Sequence, residues 1–221
     1  MSQPKVSIID YDIGNLFSVF KACEYAGMNC TITNNVDEIM ASAAIILPGV
    51  GAFGDAMENL QSFDLVDPLK DFANSGKPLM GICLGMQLLL SESEELGKNR
   101  GLGIIDGICK KFPTIIDGNK VKVPQITWNK IYSHDKNFKK NTPLEEIKNN
   151  EYMYFVHSYY ADLNNKDEIL SKTNYEGIEY CSSINKNNIF GFQFHPEKSG
   201  LKGLKIYKKF NEIINNKFYK K

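Results

Sequence analysis

An α/β fold, built on an open and mostly parallel twisted sheet with helices on both faces and added antiparallel strands in the second half, is predicted by three features of this 221-residue sequence. Short apolar runs alternate with amphipathic segments through the first half, the pattern of βαβ units. Those runs read as buried strands, as expected of a parallel sheet covered on both faces. In the second half strand signals come closer together, separated by turn-prone Gly, Asn and Asp, as in hairpins beside or extending the sheet.

KVSIID (5–10) is the first strand, and NLFSVFKACEYAG (15–27) is an amphipathic helix with Gly27 at its C-terminal stop. NCTIT (29–33) and AAIILP (43–48) are the next two strands. GDAMENL (54–60) and LVDPLKDFANSG (65–76) have helical patterns, and PLMGIC (78–83) is a fourth strand that runs into a helix-like segment. Further strands are GLGIIDGICKKF (101–112), NKVKVP (119–124), EYMYFVHSYYA (151–161), EGIEYCSSI (176–184) and NNIFGFQFH (187–195), with the polar SHDKNFKKNTP (133–143) as an exposed loop. A last helix covers 201–221: Leu204, Tyr207, Phe210 and Ile214 recur at helical spacing, and its lysine-rich end reads as solvated. With no internal repeat or long linker, residues 1–221 read as one domain.

Lys and Arg (26) balance Asp and Glu (26), so the field that draws a protein to nucleic acid or an anionic membrane is absent. No stretch reaches the ~18 apolar residues of a spanning helix, and the N-terminus lacks a signal-peptide pattern. A soluble, cytoplasmic protein is expected. Cys23, Cys30, Cys83, Cys109 and Cys181 are odd in number and lack CxxC or Cys/His zinc spacing, so they read as free thiols, with no metal site.

One of these thiols has a chemical context. Gly81-Ile82-Cys83-Leu84-Gly85 has the form of a nucleophile elbow, in which small flanking residues permit a sharp strand-to-helix turn. In an open parallel sheet such a turn lies at the carboxyl ends of the strands, where ligands bind. A helix N-terminus there would favour an anionic sulfur. A thiolate attacking a carbonyl needs a proton donor for the leaving group and a partner to orient it. FGFQFHPEKS supplies both: His195 and Glu197 stand two apart after a strand-like run, so on an extended chain they project to one side. LPGVGAFGD (47–55) follows the third strand. Its glycines admit either an oxyanion hole, from the N–H of Val50 or Gly51 with that of Leu84, or a turn or phosphate cradle. GVGAFG follows the wrong strand for a dinucleotide fingerprint and has no acidic partner for a ribose. The order cysteine, histidine, acid also departs from the α/β-hydrolase order.

GICLGMQLLL, LPGVGAFGD and FGFQFHPEKS together resemble the class I, or triad, glutamine amidotransferases, which have a flavodoxin-like sheet. IIDYDIGNLFSV, GLGIIDG, VPQITWNKI, YFVHSYY and IFGFQFHPEKS extend the similarity to the glutaminase subunits of imidazole glycerol phosphate synthases in histidine biosynthesis. The resemblance implies L-glutamine as substrate, Cys83 as nucleophile, His195 as general acid and base, and Glu197 as its orienter. It implies that Gln87 holds the substrate, with Gly49, Glu95, Ser158 and Tyr159 at the same pocket and Tyr154 close by. It also implies a (β/α)8-barrel cyclase or synthase subunit that receives the ammonia in a heterodimer, met by Asn15, Trp128, Tyr154 and Lys198, and no cofactor. By itself Trp128 reads as either a core ring or an interface anchor. The stretch 124–129 departs from the family's usual proline, histidine, methionine, glycine, tryptophan, asparagine: Gln125 replaces the histidine and Thr127 the glycine. That leaves open a paralogous glutaminase serving sugar amidination in surface-polysaccharide synthesis. A cysteine peptidase or deglycase of related architecture is the second alternative, and a non-catalytic scaffold a third.

Overall fold

A computed structural model describes the protein at residues 3–116, 118–133 and 140–219. Most of the loop expected over 133–143 lies outside the described residues, as do the last two lysines.

The elements run β1 (Lys5–Ile9), α1 (Leu16–Tyr25), β2 (Asn29–Thr33), α2 (Val36–Ala41), β3 (Ala44–Gly49), α3 (Phe53–Ser62), α4 (Val66–Asn74) and β4 (Leu79–Cys83). After the one-turn α5 (Leu84–Leu88) come β5 (Leu90–Ser93), β6 (Asn99–Arg100), β7 (Ile105–Lys111), β8 (Ile115–Ile116), β9 (Asn119–Lys120) and β10 (Gln125–Ile131). The chain continues with β11 (Glu151–His157), β12 (Tyr159–Leu163), β13 (Ile169–Tyr175), β14 (Ile178–Lys186), β15 (Ile189–Phe192) and α6 (Gly200–Tyr219).

Side-chain alternation along the central strands explains why helices cover both faces. Ile8, Ile46, Met80 and Ile82 point toward Val19 and Cys23 of α1 and Ile206, Tyr207, Phe210 and Ile214 of α6. Their neighbours Ile9, Ile45, Leu47 and Leu79 pack with Ile39 of α2, Leu60 of α3 and Leu69 and Phe72 of α4. The sheet order is β2-β1-β3-β4-β15-β14-β12-β7-β5-β6, with β13 paired on β14. β2, β1, β3, β4 and β15 are mutually parallel. β14 and β12 continue the sheet antiparallel, so everything from β5 to β14 is inserted between two adjacent parallel strands. No helix among the described residues is long and apolar enough to cross a membrane.

Several segments depart from the expected elements; β5, β6, β8 and β13 were not among the expected strands. α2 was not anticipated, although Asn35 accepts from Glu38 N at 3.0 Å and Asp37 and Glu38 follow in the first turn, a helix start written in sequence. NKVKVP pairs only at Asn119 and Lys120, in a two-residue contact with β8. EYMYFVHSYYA is two strands broken at Ser158: β11 joins β10 in a separate antiparallel ribbon, while β12 joins β7 in the main sheet. β10 itself is inverted, with Ile126 and Trp128 outward and Gln125 fully buried, so a reading of apolar alternation misses it.

Candidate active site

Close packing dictates the elbow. Cys83 ends β4 opposite Gly49 of β3 and takes φ 53°, ψ −111°, a region costly for a residue with a Cβ. A Cβ on Gly85 would lie 1.8 Å from the Leu47 carbonyl oxygen, and one on Gly81 2.8 Å from the Gly85 carbonyl oxygen, so only glycine lets α5 turn back so tightly. The helix-like segment after the strand is α5, five residues, all buried, so the aligned peptides behind the sulfur amount to little more than one turn.

β15 ends at Phe192, and the chain then brings His195 to the same rim. Pro196–Lys198 form a 3-10 turn, closed by Lys198 N donating to His195 O at 3.0 Å. The expectation that His195 and Glu197 share one side of an extended chain is therefore corrected. Their contact arises because the turn folds Glu197 back, setting its Oε1 2.7 Å from His195 Nδ1, with both side chains at 2% exposure or less. His195 Nε2 is buried and has no hydrogen-bond partner among the described residues. Burial alone would lower this imidazole's pKa. The negative charge of the nearby Cys83 sulfur, the hydrogen bond to Glu197 and the Glu197 charge outweigh it and raise the pKa to about 10.

A cavity of about 300 Å³ joins the sulfur and the imidazole. Val50, Gly51 and Leu84 line it, as do Gln87, Glu95, Ser158 and Tyr159. Leu84 opens α5, where the N–H has no intrahelical acceptor. Gly49 is not on the wall. A Cβ there would meet the Tyr11 hydroxyl at 2.5 Å, so its smallness serves packing beneath the site. Glu95 Oε2 accepts from Phe53 N at 2.7 Å, which holds the carboxylate at the start of α3. Gln87 Nε2 donates to Tyr159 O and to Gln193 Oε1, each at 3.0 Å.

Two groups at the site were missed by sequence reasoning. Gln193 is fully buried and sets its Nε2 3.8 Å from Cys83 Sγ; its position two before His195 in a strand-like run was the available signal. His157 lines the cavity and donates from Nδ1 to Tyr159 O at 2.8 Å, with Nε2 3.2 Å from the Tyr180 hydroxyl. Lying in an aromatic strand, it looked like any core residue.

The expected interface residues sit on several elements. Trp128 is 50% exposed, which removes the core-ring reading, and it meets its cross-strand neighbour Tyr154 edge-on at 6.0 Å. Lys198 is exposed. Asn15 has a structural duty, since its side chain accepts from Ser18 N at 3.4 Å and caps α1. The ribbon bearing Tyr154 lies against Cys83 and His195: His195 N donates to Tyr154 O at 2.9 Å, and Cys83 Sγ lies 3.8 Å from Val156 O. Among the described residues no group of three or more His, Cys, Asp and Glu is placed to hold a metal. Cys23, Cys109 and Cys181 are buried, and burial raises the Cys181 thiol to about 12.

Burial lowers His157 from 6.5 to about 4, opposed by its bond to Tyr159 O and assisted by His195. The unfolded chain takes up this proton near pH 6.5 while the folded chain does not. His157 therefore contributes stability that is present above that pH and lost as pH falls through about 4. Urea unfolding at pH 7 and pH 4 should show a loss of roughly 3 kcal/mol from this group, largely absent in His157→Gln. An unchanged pH slope in that variant would contradict the assignment.

The sequence profile of the family described as "Glutamine amidotransferase class-I" matches residues 7–213. The imidazole glycerol phosphate synthase subunit HisH of Caldanaerobacter subterraneus subsp. tengcongensis is 48% identical over 210 residues, covering 95% of this chain and 98% of its own. The HisH subunit of Listeria innocua is 46% identical over 211 residues, with 96% and 97% covered. Subunit HisH 1 of Legionella pneumophila is 43% identical over 210 residues, with 94% and 99% covered. Among solved structures, PurLQS from Thermotoga maritima superposes with a TM-score of 0.70 at 19% identity, over 98% of this chain and 100% of that one. A glutamine amidotransferase from the same organism gives 0.57 at 15% identity, over 100% and 86%. At such identities the structural likeness concerns the fold alone.

Proposed function

The chain belongs to the class-I glutamine amidotransferase family, and on that premise we propose that it is the glutaminase subunit of an imidazole glycerol phosphate synthase. Residues 1–221 act as one glutaminase domain in the cytoplasm, docked on a (β/α)8-barrel cyclase that consumes the ammonia. The observation that carries the reading is the meeting, at one cavity, of an elbow sulfur and a glutamate-held imidazole.

In the proposed reaction the Cys83 sulfur attacks the side-chain amide carbon of L-glutamine. The tetrahedral oxyanion is stabilised by the N–H of Leu84 and that of Val50 or Gly51. His195, whose raised pKa suits an imidazolium beside a sulfur anion, gives its Nε2 proton to the departing nitrogen, leaving ammonia and a glutamyl thioester. The same nitrogen then takes a proton from water, whose oxygen attacks the thioester. Glutamate leaves, and the sulfur anion and imidazolium are restored. Glu197 fixes which imidazole nitrogen faces the reaction. Gln87, Glu95, Ser158 and Tyr159 hold the amino-acid end, and Asn15, Trp128, Tyr154 and Lys198 face the partner.

Glutamate and ammonia release should be measured for the chain alone and with its barrel subunit and that subunit's phosphorylated ligand. We expect weak hydrolysis alone, strong stimulation in the complex, and formation of imidazole glycerol phosphate. Vigorous hydrolysis by the isolated chain would contradict the coupling. Amidination of a sugar acceptor instead would move the protein to the paralogous function that Gln125 and Thr127 bring to mind.

A further inference from the structure

Behind the cavity wall lies a run of buried polar groups that the reaction above does not use. Gln125 of β10 is 0% exposed, Tyr180 of β14 is 3% and His157 of β11 is 7%. One carboxamide oxygen or nitrogen of Gln125 stands 3.0 Å from the Tyr180 hydroxyl, that hydroxyl stands 3.2 Å from His157 Nε2, and His157 Nδ1 stands 2.8 Å from Tyr159 O. Phe112 and Phe155 pack around His157 and Tyr180.

Counting protons gives this chain of contacts a direction. A carbonyl oxygen only accepts, so Nδ1 carries the His157 proton. Burial keeps the ring neutral, so Nε2 is an acceptor and needs a donor. Among the described residues the hydrogen-bond donor set against it is the Tyr180 hydroxyl, which has a single proton. Once given to His157, that proton cannot also serve Gln125. Gln125 must therefore turn its NH₂ toward the tyrosine oxygen. The amide orientation is a matter of such network logic, since oxygen and nitrogen are alike in shape. This orientation also relieves an anomaly: with the amide the other way, Nε2 is a buried donor without a partner among the described residues. Turned round, the amide places one of its two protons on the tyrosine oxygen, and the atom left wholly unpaired is a carbonyl oxygen, the less costly orphan.

The series ends at a carbonyl of the substrate pocket. Tyr159 O accepts from His157 Nδ1 and also from Gln87 Nε2, whose other proton goes to Gln193 Oε1, and Gln193 Nε2 faces Cys83 Sγ. It begins on the strand that turns Ile126 and Trp128 outward, at 55% and 50% exposure.

We propose that Gln125 is a positioning residue for the glutamine pocket, acting through a one-way hydrogen-bond relay, Gln125 to Tyr180 to His157 to the Tyr159 carbonyl, that ties the outer ribbon to Gln87. The functional half of this proposal rests on the glutaminase reading; the direction of the relay does not. A merely structural Gln125 would fill space and leave the pocket's binding constants alone.

The test has two arms. In the wild-type chain without glutamine, ¹⁵N NMR of the histidine rings should show His157 neutral with its proton on Nδ1. A proton on Nε2 alone, or a charged ring at neutral pH, overturns the relay. For the full complex, Gln125→Met, Tyr180→Phe and the double variant should each raise the KM for glutamine roughly ten-fold, the double no more than the worse single. Alkylation of Cys83 by iodoacetamide, which makes no use of Gln87, should keep its rate. Additive losses, or losses in kcat with KM unchanged, overturn the proposal. Should Gln125→Met fail to fold, the wild-type spectrum and Tyr180→Phe still decide it. Absence of any glutamine hydrolysis in the wild type would fell the glutaminase reading and leave the spectrum to judge the relay.

Discussion

Cys83→Ala is expected to abolish glutamine hydrolysis, by at least ~10³-fold in kcat/KM, while the chain folds and binds its partner as before. The size of the effect follows from the chemistry: without the sulfur no thioester forms, and only oxyanion stabilisation and binding remain. The isolated wild-type chain, treated with a glutamine-analogue electrophile such as diazo-oxo-norleucine, should lose one of its five thiols. That thiol should be Cys83, because among the described residues it is the one cysteine that shares a cavity with an imidazole, whereas Cys23, Cys109 and Cys181 are buried elsewhere and the half-buried Cys30 lies on β2, outside that cavity. Hydrolysis retained in Cys83→Ala, or labelling elsewhere, would remove the nucleophile and with it the peptidase and deglycase alternatives. No labelling at all would favour the non-catalytic scaffold.

The second large effect concerns folding. Gly85→Ala places a methyl carbon 1.8 Å from the Leu47 carbonyl oxygen and 2.8 Å from the carbon of the same group. Both belong to the backbone of β3, so no side-chain rotation relieves the clash, and β3 or α5 must move. The expected cost exceeds ~4 kcal/mol, enough to leave most of a domain of ordinary stability unfolded. Gly76→Ala is the matched comparison: nothing lies within 4 Å of its added carbon, and the penalty is the backbone strain of φ +77° alone, about 1 kcal/mol. Urea midpoints for the two variants measure the difference. If Gly85→Ala unfolds within ~1 kcal/mol of wild type, the elbow does not depend on this contact.

How much was legible in the chain varies with the kind of signal. The parallel strands β1, β3 and β4 were clear because each is an apolar run between turn residues, and burial on both faces demands that composition. α6 was clear because its buried residues Tyr207, Phe210 and Ile214 keep helical spacing. β10 and the break at Ser158 were not, because the ribbon inverts the usual rule, burying Gln125 and exposing Trp128. Nothing local in EYMYFVHSYYA says that its two halves belong to different sheets. At the site, Cys83, His195, Glu197 and Gln87 carried motif context, whereas Gln193 and His157 act through contacts with residues up to 110 positions away.

The sequence by itself determined the α/β class, the glycine-bounded cysteine and the histidine–glutamate pair, because each depends on residue types within a few positions of one another. Only the tertiary structure decided that Glu197 reaches the imidazole through a 3-10 turn, that Gly49 serves packing, and that Gln125 lies at the far end of a polar chain leading to the pocket. Those outcomes depend on which strands lie side by side, and that is settled by the packing of the whole chain, where long-range contacts must satisfy every buried donor and acceptor together.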